Sequence, residues 1–304
     1  MRPLKVGMVG LGGIAQKVYL PLLSKEENWE FTGVYTPNEE KRKTIGRLYR
    51  LKPYPDLQTL SSDIDAAFVH SSTESHFEVV SHLLKSGIDV YVDKPLAADA
   101  RDAEKLVELS RISQRKLMVG FNRRFAPLYE KAKETAGPPA WVRIEKHRAD
   151  KVRNVPYEET LLDDYIHLVD LARWFGAEDM RFGHIEKNSE GSLVYANHAY
   201  TTADSVTVFT GMHRKAGTNA ETLELVSEGQ VVRVRDLESM EIERESRIEC
   251  TSSPSWDSIL TRRGFTGAVN HFIESIEGDT QPAADGEEGL KTQLLLEQIA
   301  SESK

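Results

Sequence analysis

A glycine-rich turn near the N-terminus constrains this chain more than any other feature. Gly10-Leu11-Gly12-Gly13-Ile14-Ala15 follows the short apolar run Leu4 to Val9 and leads into a helical stretch from Gln16 to Leu23. The spacing fits G-x-G-x-x-G/A in a strand–turn–helix context, the pattern of a dinucleotide-binding unit. Gly10 makes the tight turn. Gly12 lacks a Cβ, so backbone can approach a pyrophosphate, and Ala15 is small enough for helix to pack closely on strand. The helix N-terminus supplies N–H groups and partial positive charge, and Gly13 and Ile14 of the turn join Gly10, Gly12 and Ala15 in the expected cofactor set. A glycine-rich turn that binds nothing is the alternative, and the surrounding pattern argues against it.

An NAD site places an acid about 20 residues later, at the end of the second strand, to bind the ribose diol. Here that strand ends Val34-Tyr35-Thr36, and Thr36 stands where the acid is expected. Thr36, Asn38, Lys41 and Arg42 form a set suited to a 2′-phosphate, which favours NADP over NAD. Lys41 and Arg42 could equally be solvated charges on a helix.

The first 120 residues alternate strand and helix signals. Phe31 to Tyr35, Ala66 to His70, Val90 to Val92 and Leu117 to Phe121 read as short apolar strands. Glu39 to Leu48, Phe77 to Lys85 and Asp99 to Ser110 read as helices. This order implies a doubly wound parallel sheet covered on both faces. After Gly137-Pro138-Pro139 the pattern changes. Trp141 to His147 alternates, with Val142 and Ile144 on one face, and nearly everything from Phe182 to Arg244 has period two. One helix, Leu161 to Phe175, precedes that region, and two more close the chain. The expected architecture is α/β: a Rossmann domain over residues 1–121, then an α+β domain over 122–304 with a large, mostly antiparallel open sheet. The C-terminal helices could pack back on the first domain.

Two constellations carry chemistry. Asp93-Lys94-Pro95 ends a strand of the parallel sheet, and ligands in such sheets bind beyond the carboxyl ends of strands. A lysine there can hydrogen-bond a reacting hydroxyl or carbonyl; a surface lysine before a proline turn is the plainer reading. Asp163 and His167 are spaced i,i+4 in the second-domain helix, with Asp170 at i,i+3 from the histidine, so they share a face. Asp163 can orient the imidazole or raise its pKa, making His167 a general base. An Asp/His pair can also hold a metal, but no third ligand is evident, and no metal site is expected. A helix-surface ion pair and a buried, carboxylate-capped histidine are the other readings. His147, Arg148 and Arg124 are basic groups that could line the crevice and bind an anionic substrate, or serve as ordinary ion-pair partners, and Asp170 is a further substrate candidate.

Composition sets the outer limits. The formal charge of −9 argues against a nucleic-acid surface. No apolar run approaches the ~18 residues of a membrane span. The Val6 to Ala15 stretch resembles a signal peptide only superficially, for it is broken by four glycines and no small-x-small cleavage site follows. A single cysteine, Cys250, rules out an internal disulfide and fits a reducing, cytoplasmic setting.

Together these residues resemble the Gfo/Idh/MocA family of nicotinamide-dependent oxidoreductases over nearly the whole chain. The resemblance rests on the Gly10–Ala15 turn, Asp93-Lys94-Pro95 where Glu-Lys-Pro is usual, Gly120-Phe121-Asn122-Arg123-Arg124-Phe125, Asp163…His167…Asp170, and the closing Gly278…Pro282…Gly286…Gly289-Leu290 run. The stretches Phe68 to Phe77, Asn122 to Tyr129 and Leu162 to Asp170 are similar to the bacterial MviM-like members, oxidoreductases that carry a virulence-factor name. The resemblance implies hydride exchange between a substrate carbon and nicotinamide C4, with sugars, sugar derivatives or polyols as substrates. It implies that Lys94 contacts the reacting oxygen and that His167 is the acid/base with Asp163 beside it. Ser71, Ser72, Thr73 and His76 match the loop bordering the cofactor, and Asp93 an acid near the nicotinamide ribose. It also implies dimers or tetramers through the second-domain sheet. Two departures stand out. Glu159-Thr160-Leu161-Leu162 replaces a glycine-rich run, and Tyr165 replaces a common glycine, which together predict a narrower or reshaped substrate pocket. The family's proline in the third-strand loop is absent around Ser72. A dinucleotide-binding sensor without turnover is the competing function.

Overall fold

A computed structural model describes residues 2–25 and 27–302. It divides into two compact units: the chain up to Gly120 together with Val269–Lys291, and Phe121–Ala268 together with the residues from Thr292 on.

The first unit is built on β1 (Leu4–Val9), β2 (Trp29–Tyr35), β3 (Lys52–Pro53), β4 (Ala66–Val69), β5 (Asp89–Val92) and β6 (Leu117–Val119), in the order β3-β2-β1-β4-β5-β6. Every pairing is parallel. β4 and β5 are buried along their whole length, as apolar strands covered on both faces must be. The two-residue β3 has no apolar signature and is legible only from its pairing with Gly33 and Val34. The strand order reverses between β1 and β4, which opens a crevice at their carboxyl ends.

The first helix begins as a π-helical turn, Ala15–Tyr19, before α1 (Leu20–Leu23). α2 (Glu39–Tyr49) is capped by Asn38, whose side chain accepts from the Lys41 N–H. α3 (Leu57–Ser61) is capped by Asp56 in the same way. α4 (Thr73–Lys85) starts four residues before the expected Phe77, because its first turn is polar. α5 (Ala100–Ser113) starts at its Asp99 cap, where the sequence placed it. Residues 269–291 complete this core. Phe272 packs edge-on against Phe68, and the Val119 N–H donates to the Ala284 carbonyl at 2.8 Å.

The second unit contains α6 (Pro127–Ala136), β7 (Pro139–His147), α7 (Tyr157–Thr160) and α8 (Ile166–Trp174). Then come β8 (Ala177–Lys187), β9 (Leu193–Thr202), β10 (Thr207–His213), β11 (Ala220–Ser227), β12 (Gln230–Arg235), β13 (Ser239–Arg244) and β14 (Arg247–Ser252). The eight strands run β14-β13-β12-β11-β7-β10-β9-β8, antiparallel except for the central β7/β10 pair. Val142, Ile144, Val208, Leu223, Leu225, Val232 and Val234 form its buried face, which α6 and α8 cover. Trp141, Arg143 and Glu145 alternate with them on the other face.

The helix expected from Leu161 to Phe175 is not regular. Leu161–Tyr165 is a π-helical turn between α7 and α8. The i,i+4 rule that set Asp163 and His167 on one face assumes a continuous α-helix, and this stretch inserts a residue. Tyr165 does not narrow a substrate pocket by pointing into it. It is fully buried, with its hydroxyl 2.7 Å from both His198 Nδ1 and Thr210 Oγ1. Burial pushes His198 down to about 4, so it is neutral. A Cβ on Gly183 would lie 1.9 Å from the His198 ring. Gly183→Ala is therefore expected to destabilise the fold by about 1–3 kcal/mol in urea denaturation.

Candidate functional site

A cleft of about 610 Å³ opens at the carboxyl ends of β1, β2 and β4. It brings together Gly10, Gly12, Thr36, Lys41, Ser71 and Ser72 from the predicted cofactor set, and adds Leu57, Ser75, Glu78 and His82 from α3 and α4. Gly10 has φ +89°, and a Cβ there would lie 2.3 Å from the Ser71 nitrogen, so both its backbone angle and its neighbours demand glycine. Beyond it the turn is open. No heavy atom lies within 4 Å of a Cβ on Gly13, and only the His70 carbonyl oxygen, at 3.9 Å, approaches one on Gly12. The first intrahelical bond is from Gln16 N–H to the Gly12 carbonyl. The earlier N–H groups, Gly13 to Ala15, have no carbonyl partner in their own helix. An open backbone cradle with unsatisfied N–H groups fits a pyrophosphate. Ile14 is exposed beside it.

The other predicted cofactor residues are not among those that line this cleft. Arg42 is buried and donates to the Thr36 carbonyl at 2.6 Å, which takes it away from a 2′-phosphate role. Asn38 is the cap of α2. His76 is buried, with Nδ1 2.9 Å from the Pro95 carbonyl and Nε2 3.3 Å from the Ser71 carbonyl. Burial lowers its pKa, and a neutral ring donates through one nitrogen only, for which the shorter contact is the Pro95 carbonyl in the turn after Lys94. Thr73 opens α4. Lys94 and Asp93 are half-buried at the end of β5, and the Lys94 N–H donates to Asp93 Oδ1 at 2.9 Å. The sequence reading missed His70, which lines the cleft wall and stacks on Tyr19 at 3.8 Å between centroids. Burial pushes it down to about 3, so it is neutral at every physiological pH. Only the polar end of an otherwise apolar strand marked it.

In the second unit, His167 is half-buried on α8, while Asp163 is exposed and accepts from Arg153 at 2.6 Å. Arg124 and Asp170, expected to face substrate, close on each other instead. The Arg124 Nε lies 3.0 Å from both Asp170 oxygens, and their side chains are 4% and 1% exposed. His147 is also misplaced by the sequence reading. It sits on the outer face of the sheet, accepting from the His213 N–H at 3.2 Å and 3.8 Å from Glu145. Its neighbour Lys146 takes the helix-covered face, as the Val142/Ile144 alternation implied.

Lys146 is the centre of a charge cluster. It pairs with Asp164 from the π-turn, which also pairs with Arg214, while Arg123 is bonded to Glu221. Burial works to raise the Asp164 carboxyl, but Lys146, Arg148 and Arg214 override it and hold it well below the usual carboxylate range. Burial likewise opposes Glu221, and Arg123 pulls it down to about 2. Burial and the Arg123 charge bring Lys146 down to about 8 against the pull of Asp164 and Glu221. Among the described residues no group of three His, Cys, Asp or Glu side chains is placed to hold a metal, and no helix is long and apolar enough to cross a membrane.

A parallel sheet with a glycine turn at its reversal point defines a dinucleotide-binding Rossmann domain, here followed by a large open sheet. Residues 4–121 match the model of an oxidoreductase family with an NAD-binding Rossmann fold, and residues 127–245 match a YceM-like C-terminal domain. The chain belongs to the Gfo/Idh/MocA oxidoreductase family. It is 43% identical over 98% of both chains to YceM of Salmonella typhimurium, which carries the name of an oxidoreductase. The crystal structure of the dehydrogenase MviM from Clostridium difficile superposes with a TM-score of 0.95 at 41% identity, covering 98% of this chain and 99% of that one. A myo-inositol 2-dehydrogenase of Thermotoga maritima is 25% identical over 99% of this chain and 96% of its own length.

Proposed function

We propose that the chain exchanges a hydride between a nicotinamide cofactor and a carbon of a small sugar derivative or polyol, with NADP preferred. The observation that carries this reading is the open cradle at Gly10 to Ala15, with the Thr36 and Lys41 pair on its rim. A bound nicotinamide supplies or accepts the hydride. Lys94 hydrogen-bonds the reacting oxygen, and His167 takes or returns its proton. Asp163, which accepts from Arg153, is the carboxylate four residues before His167 in the chain. The inositol dehydrogenase relative supports a polyhydroxylated substrate. The outer face of the eight-stranded sheet, where Trp141 and Phe182 are exposed, supports a homodimer or homotetramer.

The test is a panel of sugars, polyols and their acids and phosphates, followed by the absorbance of reduced nicotinamide. Turnover of at least one class is expected. Saturable cofactor binding without turnover across the panel would favour a sensor instead. For the cofactor, Lys41 is the one of the two candidate cations that lines the cleft. Lys41→Ala is expected to weaken NADPH by about 10- to 100-fold, the worth of a charged hydrogen bond. Titration with NADH should show little change. Equal weakening of both cofactors would assign Lys41 to the shared part of the dinucleotide.

A further inference from the structure

The helix-covered end of β7 and β10 holds more positive charge than its carboxylates answer. Arg123, Lys146, Arg148 and Arg214 converge there on Asp164 and Glu221. Behind Glu221, Asp236 accepts from the Glu221 N–H at 2.9 Å and Arg263 acts on the Glu221 carboxylate, one charge of each sign, so the two leave the balance unchanged. Four cations thus face two carboxylates, in a chain whose formal charge is −9. The segment that follows β7 adds no net charge to this balance, since Asp150 and Asp163 offset Lys151 and Arg153. Lys146 and Arg214 are sealed inside, whereas Asp164 and Arg148 form the more open side, at 16% and 23% exposure.

An unmatched charge excess in a poorly solvated place is costly unless an anion joins it. Arg148 is the most loosely held of the four cations. Its Nε is 4.0 Å from Asp164, and its Nη1 donates to the His147 carbonyl at 3.3 Å. Its planar fork matches a carboxylate or phosphate, and Arg214 secures the backbone around it by donating to the Lys151 carbonyl at 2.9 Å. Asp164 lies on the same π-turn as Asp163, directly before the helix of His167.

Resting on the dehydrogenase reading, we propose that the substrate carries an anionic group, a carboxylate or phosphate, that docks on Arg148 at the open side of this cluster. The substrate class is then a sugar acid or sugar phosphate rather than a neutral polyol.

The experiment is thermal unfolding of the protein saturated with NADPH, which fills the phosphate-binding turn. D-Gluconate, inorganic phosphate and D-glucose are added at equal millimolar concentration and fixed ionic strength. One of the two anions is expected to raise Tm by about 2 °C or more, and which one does so separates carboxylate from phosphate. D-Glucose is expected to give no such rise, and Arg148→Gln should remove the increment. No anion-dependent rise, or the same rise in Arg148→Gln, overturns the proposal. In the turnover panel, Arg148→Gln should raise KM for the anionic substrate about 10- to 100-fold. A neutral polyol turned over as well as its acid or phosphate would overturn the anion site and leave the dehydrogenase standing. An Arg148-dependent rise in Tm without turnover of any compound would do the reverse.

Discussion

Lys94→Ala is expected to lower kcat by about 100- to 10,000-fold while cofactor affinity changes less than about threefold, the signature of a group used in proton handling rather than in binding. The backbone around Lys94 is fixed without its side chain. Its own N–H is bonded to Asp93, and the next residue's carbonyl is bonded to His76. Removing the amine therefore leaves the end of β5 in place. The parallel measurement is Kd for the cofactor by titration, with Tm alongside. A purely structural lysine would move Tm and Kd together and leave kcat near wild type. Wild-type turnover in Lys94→Ala would remove it from the reaction.

Arg124→Leu is expected to cost about 3–5 kcal/mol of stability, because it leaves the Asp170 carboxylate buried without its cation. The pair is enclosed by α8 and the Asn122–Phe125 turn, and Asp170 is 1% exposed. Urea denaturation of Arg124→Leu, Asp170→Leu and the double variant checks this. The double variant should recover most of the loss, since apolar side chains replace both charges. Equal loss in all three would mean that the pair contributes through packing alone. A substrate role would appear instead as a raised KM at unchanged stability.

What the sequence made legible follows from the range of the interactions. The Gly10–Ala15 turn, the buried strands β4 and β5 and the alternation of β7 are local patterns, and each sits where its period placed it. The π-turn at Leu161–Tyr165 has no such period, so the geometry around Asp163 had to come from the structure. Arg42, Arg124 and Asp170 looked like ligand groups because charge alone does not reveal a partner. The Thr36 carbonyl takes the first, and 46 residues separate the other two. Lys146 was within reach, being on the Val142/Ile144 face, but its ion-pair partner Asp164 sits on the π-turn, and Glu221, opposite it on the neighbouring β11, is far away along the chain. The assignment of residues 269–291 to the first unit depends on Phe272 meeting Phe68 and Tyr91, which sequence spacing does not encode.

The central claim is that the Gly10 to Ala15 cradle binds a nicotinamide dinucleotide. Fluorescence titration of the cofactor-stripped protein with NADPH and NADH in parallel tests it most directly. Saturable binding is predicted for both, tighter for NADPH, with the difference removed by Lys41→Ala. Failure of both to bind would contradict the claim and, with it, the hydride-transfer function.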